Sequence, residues 1–144
     1  VLDLKISAMI PEDYIENPDL RLSLYRKIAS AKDIKALTAL AGEIRDRFGE
    51  PPEKTGRLIE IMELKALAKK LLVTRLINSS GKIRIFFAAE SAVTPETILA
   101  LYSSGKVNIR FLPEGGIELD LRGRRWDEIF AELKGLMEGL APGG

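Results

Sequence analysis

Apolar and polar positions alternate at the start of the chain, with Leu2, Leu4, Ile6 and Ala8 on one side and Asp3, Lys5 and Ser7 on the other. A period of two predicts a half-buried strand over residues 2–10, ended by Pro11. Asn17-Pro18 then has the form of a helix start, with Asn as cap and Pro at the first helical position. Leu20, Leu24 and Ile28 recur every fourth residue and give that helix, from about Pro18 to Ala29, one apolar stripe. Ser30 and Asp33 resemble a capping box for a second helix, and Gly49 closes it after Phe48. Its Ile34, Leu37, Leu40, Ala41, Ile44 and Phe48 occupy about a third of the circumference at ~100° per residue. Pro51-Pro52 breaks the chain and opens a third helix to about Leu72. Leu58, Ile59, Ile61, Met62, Leu64, Leu67, Ala68, Leu71 and Leu72 go nearly all the way round it, so burial on more than one side is expected.

Beyond Val73 the period returns to two. Residues 74–78 and 82–88 flank Ser79-Ser80-Gly81, a hairpin signal whose register the pattern leaves open. Thr94-Pro95 opens a short helix that Gly105 closes. Two strands follow around Pro113-Glu114-Gly115-Gly116, with Val107, Ile109 and Phe111 facing one way, as do Ile117, Leu119 and Leu121. A turn centred on Glu114 sets Arg110 opposite Glu118 on the solvent face. Trp126, Ile129, Phe130, Leu133, Met137 and Leu140 stripe a last helix, and the Pro-Gly-Gly end reads as a frayed tail. The fold class is therefore α+β: an N-terminal strand and three-helix half, then two ββα units, with a long central helix. Residues 1–144 read as one domain, with a helical lobe over about 1–72 and a β-rich lobe over about 73–140.

Composition narrows function by subtraction. The chain has 144 residues, 46% apolar and 30% charged, as an ordinary globular domain has. No run approaches the roughly 18 apolar residues of a membrane span. Asp3 and Lys5 interrupt the early apolar stretch, so nothing at the start reads as a signal peptide. With no cysteine, disulfides and thiolate metal sites are excluded, and a cytoplasmic location is the simplest expectation. With no histidine, the commonest general base and metal ligand are missing too. A net charge of +1 gives no bulk attraction to nucleic acid. The expectation is a domain without catalytic, metal or cofactor site, acting by docking.

Several clusters could still carry chemistry. Glu60 with Glu63, and Glu128 with Glu132, read as solvated helix edges, since acid–base or metal chemistry needs convergent groups in a cleft. Gly115-Gly116 precedes a strand and cannot present helix N-terminal amides to a phosphate. Arg122, Arg124 and Arg125 beside Trp126, with the Lys65, Lys69 and Lys70 stripe, make the alternative reading, a nucleic-acid or polymerase contact. Trp126, however, falls in line with its helix's apolar stripe. On the second helix, the side away from the core carries Lys35, Ala36, Ala39, Gly42, Glu43 and Asp46, with Arg47 at the margin. Small residues let another backbone come close, and charges at the rim can pair with it. The plainer account is a surface helix carrying an i,i+4 pair from Glu43 to Arg47, worth a few tenths of a kcal/mol.

Three segments carry a resemblance: Ile10-Pro11-Glu12-Asp13-Tyr14-Ile15, the run Arg21 to Ala31 (Arg-Leu-Ser-Leu-Tyr-Arg-Lys-Ile-Ala-Ser-Ala), and Glu43-Ile44-Arg45-Asp46-Arg47-Phe48-Gly49. In order and spacing over about the first 75 residues they resemble the C-terminal domain of bacterial transcription-repair coupling factor (Mfd). The resemblance implies a parent that pushes stalled RNA polymerase off double-stranded DNA with an ATP-driven motor and recruits the excision-repair protein UvrA. ATP and Mg would bind outside this fragment. It further implies a regulatory, autoinhibitory domain that packs on the UvrB-like N-terminal module of the same protein and masks the UvrA-binding surface. The family's mask contact, carried over by position, falls on Glu43, Asp46 and Arg47. Leu72 stands where the family commonly has glycine, so the end of the third helix and the strand that follows are expected to be built differently.

Overall fold

The computed structural model describes residues 2–103 and 108–141. In chain order the elements are β1 (Leu2–Asp3), α1 (Pro18–Ser30), α2 (Ile34–Phe48), α3 (Glu53–Lys70), β2 (Val73–Ser79), β3 (Lys82–Phe87), α4 (Pro95–Ser103), β4 (Ile109–Leu112), β5 (Gly116–Asp120) and α5 (Trp126–Leu140). This is the α+β architecture expected. Gly105 as helix stop, Val107 in its strand and the Pro-Gly-Gly tail fall outside the described residues.

Cα proximity divides the chain into two compact units, residues 6–66 and residues 1–5 with 67–144. The helical unit packs around Ile10, Ile15, Leu24, Ile28, Leu37 and Ile44. Asn17 caps α1 as the sequence indicates, its Oδ1 accepting from the amides of Asp19 (2.9 Å) and Leu20 (3.2 Å). Two interior bonds tie the incoming segment down: Tyr25 hydroxyl accepts from the Ile10 amide at 2.7 Å, and Thr55 Oγ1 donates to Met9 carbonyl at 3.0 Å. Every apolar residue of α3 from Leu58 to Ala68 is buried or half-buried, so that helix is covered on more than one side.

The second unit is built on a five-stranded sheet in the order β1-β2-β3-β5-β4. β1 runs parallel to β2, and the other neighbours are antiparallel. The β2–β3 register, open in the sequence, is Leu76↔Ile85 and Ser79↔Lys82 across the two-residue loop Ser80-Gly81. Both loop residues have positive φ (55° and 94°), the primed turn whose twist suits a hairpin. Leu76, Ile83, Ile85, Ile117, Leu119 and Ile109 line one sheet face and are buried.

Three expectations need correction. The first strand covers Leu2–Asp3 only, because Lys5 takes a left-handed φ of 54° and an extended strand cannot pass through it. The second helix is capped by Asp33 alone, whose Oδ1 accepts from Ala36 amide at 2.8 Å. Ser30 closes α1 instead, its hydroxyl donating to Arg26 carbonyl at 2.8 Å. Arg110 does stand opposite Glu118, but Glu118 is only 5% exposed, because β5 is an interior strand with Arg84 on its other side. Leu72, by contrast, takes φ of 57°, the backbone conformation that glycine adopts most readily, with its side chain 43% exposed.

Candidate docking face

α2 is held at both ends by its own sequence. Asp33 caps the start, and Gly49, at φ 87°, stops it with its amide on Arg45 carbonyl at 2.9 Å. Tyr14 hydroxyl donates to Gly49 carbonyl at 2.6 Å, and its ring meets Phe48 edge-on at 6.2 Å between centroids. Burial, with Glu50 adding to it, pushes the Tyr14 phenol above its usual range, so it stays a donor. Arg45 pairs with Glu50 at 2.9 Å beside this anchor. With Leu37 and Ile44 buried below, the helix cannot roll without opening the core.

The rotation fixed in this way sends Ala39, Gly42, Glu43, Asp46 and Arg47 to the far side, within an arc of about 140° at ~100° per residue. Ala39, Glu43, Asp46 and Arg47 are exposed and Gly42 is half-buried. A Cβ placed on Gly42 would find no heavy atom within 4 Å, so its own fold does not require a glycine there. Arg47 lies over the Phe48 ring, 5.0 Å from the centroid. Among the described residues, neither Glu43 nor Asp46 makes an ion pair, and Arg47 takes no carboxylate partner; the plain i,i+4 pair does not form. The five residues lie together on one side, and its three charged members are without ion pairs among the described residues.

The basic cluster is arranged differently. Arg122 forks onto Asp120 (Nε–Oδ1 2.9 Å, Nη2–Oδ2 2.7 Å), which holds that carboxyl at about 2. Arg124 lies 3.8 Å from Glu132, and Arg125 lies 3.7 Å from Asp127 and 3.5 Å from Glu128. Trp126, 9% exposed, heads the buried stripe of α5 and offers no stacking face. Lys65, Lys69 and Lys70 are exposed on α3. Gly115, at φ 90°, belongs to the three-residue loop between β4 and β5. Among the described residues no three acidic side chains group as a metal site would need. No helix among them is long and apolar enough to cross a membrane.

One constellation escaped the sequence. Glu118 receives Arg84 Nε at 2.9 Å on one oxygen and Arg110 Nε at 3.3 Å on the other. The Arg84 hydrogen bond, with the charge of Arg110 behind it, lowers the Glu118 carboxyl below its usual range. Period-two alternation marks all three as polar-face residues, but only the strand order, a non-local property, brings Arg84 alongside.

A small α+β fold with a five-stranded sheet is what these features define. The chain belongs to the TRCF domain family, whose model matches residues 4–98. Over 110 residues it is 34% identical to the transcription-repair-coupling factor of Haemophilus influenzae, covering 76% of this chain and 10% of that protein. The Escherichia coli factor is 33% identical over 69% of this chain and 9% of its own length, and the Bacillus subtilis factor 25% identical over 96% and 12%. The chain thus spans about a tenth of the length of the curated relatives it matches. Its fold is similar to a crystal structure of the C-terminal domain of transcription-repair coupling factor, with a TM-score of 0.82 at 28% identity, covering 97% of this chain and 90% of that one.

Proposed function

We propose that this chain is the regulatory domain of a transcription-repair coupling factor and holds its parent in a resting state. The parent would be an ATP-dependent DNA translocase that displaces stalled RNA polymerase and recruits nucleotide excision repair. The outer side of α2 rests on the UvrB-like module and covers the surface that UvrA would bind. The observation that carries this reading is the uncommitted face: Ala39 and Gly42 leave room for a neighbouring backbone, and Glu43, Asp46 and Arg47 are exposed without ion-pair partners of their own. Exposed charge pairs contribute only ~0–1 kcal/mol each, which suits a contact that a competing partner must open.

The test is charge reversal. Glu43→Lys with Asp46→Lys in the full-length factor should leave the thermal unfolding midpoint unchanged and raise UvrA affinity. Loss of about 1.4 kcal/mol of closure corresponds to about a ten-fold rise. Unaltered UvrA binding by a normally folded variant would refute the masking role.

A further inference from the structure

The open edge of the sheet supports an inference that is independent of the α2 face. β4 has β5 on one side and no strand among the described residues on the other. In an antiparallel pair, alternate residues turn their N–H and C=O away from the partner, so an edge offers a ladder ready for pairing. Two side-chain rows end unfinished at this edge. In Ile85–Ile117–Phe111 the isoleucines are fully buried, while Phe111 is 47% exposed. In Arg84–Glu118–Arg110 the carboxylate is sunk between guanidiniums that approach it through Nε. No described residue takes up the Nη groups of Arg110. A recess of about 270 Å³ opens beside this row, lined by Lys82, Asn108, Ile109, Arg110, Glu118 and Asp120.

We propose that the β4 edge is a strand-addition site for an extended acidic–apolar segment of a protein partner. A strand added ~4.8 Å from β4 places alternate side chains on opposite faces. An aspartate or glutamate beside Arg110 meets the spare Nη donors, with Lys82 adding positive charge. The next residue, on the opposite face, covers Phe111 and completes the apolar row. A second copy of this chain fits poorly: antiparallel self-pairing sets Arg110 against either another Arg110 or an apolar residue of the four-residue strand. Duplex DNA fits poorly as well, since a phosphate backbone has nothing to offer Phe111.

Fluorescence anisotropy with a labelled peptide of about eight residues alternating Glu and Val, and its Lys–Val counterpart, tests the site on the 144-residue chain. The acidic peptide should bind about ten-fold more tightly, with amide shifts centred on residues 109–112. Arg110→Glu should invert the preference. Phe111→Thr, which leaves every ion pair in place, should weaken the acidic peptide several-fold. Equal affinity for both peptides, shifts centred elsewhere, dimerisation without peptide binding, or duplex DNA bound in preference to the peptide would each overturn the proposal.

Discussion

At residue 72 a leucine occupies a left-handed conformation that costs a non-glycine residue about 1–2 kcal/mol. Its amide donates to Lys69 carbonyl at 3.1 Å and its carbonyl accepts from Ala88 amide at 2.8 Å, so the turn from α3 into β2 is bonded on both sides. The departure at this position changes the side chain and keeps the geometry glycine would give. Leu72→Gly should therefore stabilise the chain by about 0.5–1 kcal/mol, the relief of strain exceeding the added freedom of the unfolded chain. Urea unfolding at constant m-value measures it, and a lowered midpoint would mean that the leucine side chain packs more than its exposure indicates. Positive φ is a property of a single residue, yet sequence alone revealed it only where glycine or turn composition marked it. Lys5 and Leu72 carry no such mark, which is why the first strand was expected to run to residue 10.

Among the elements, the sheet has the clearest pH response. Asp120 is held at about 2 by Arg122, with Lys82 adding to it, and Glu118 is lowered by Arg84 and Arg110. Carboxylates more acidic in the folded than the unfolded chain stabilise above their unfolded pKa and lose that contribution as pH falls through the folded value. Stability should thus fall between about pH 4.5 and pH 2, by less at exposed Asp120, where water screens the pair. Urea midpoints across that range should flatten in Glu118→Gln and, more weakly, in Asp120→Asn; wild-type curves in both would remove these carboxylates as the cause. Element identity was clear from hydrophobic period because each helix and hairpin carries its own punctuation: Asn17-Pro18, Gly49, Pro51-Pro52, Ser80-Gly81. The β3–β5 pairing was not, because it joins residues far apart in sequence: Glu118 was expected on the solvent face, and Arg84 of β3 lies on its other side and leaves it buried. Phe111 shares the facing of Ile109 as expected and is nevertheless 47% exposed, because β4 is the edge strand.

Taken whole, the molecule is nearly neutral, and Arg122, Arg124 and Arg125 are engaged with carboxylates of the same chain. Weak duplex-DNA binding with a shallow salt dependence is expected of it. A gel-shift titration between about 50 and 200 mM salt that gave tight binding and a steep slope would return the basic cluster to consideration. The candidate docking face was readable because helix rotation follows from the buried stripe alone, and both Gly42 and Ala39 came out on the side that stripe predicts.

Gly42 also carries a warning for protein engineering. An interior helical glycine with open space around it is the first substitution a thermostability screen would select, since alanine there should gain about 1 kcal/mol. On the regulatory reading, that hardier variant would insert a methyl group where a neighbour must lie flush. Selection for toughness and selection for restraint would then pull this one position in opposite directions.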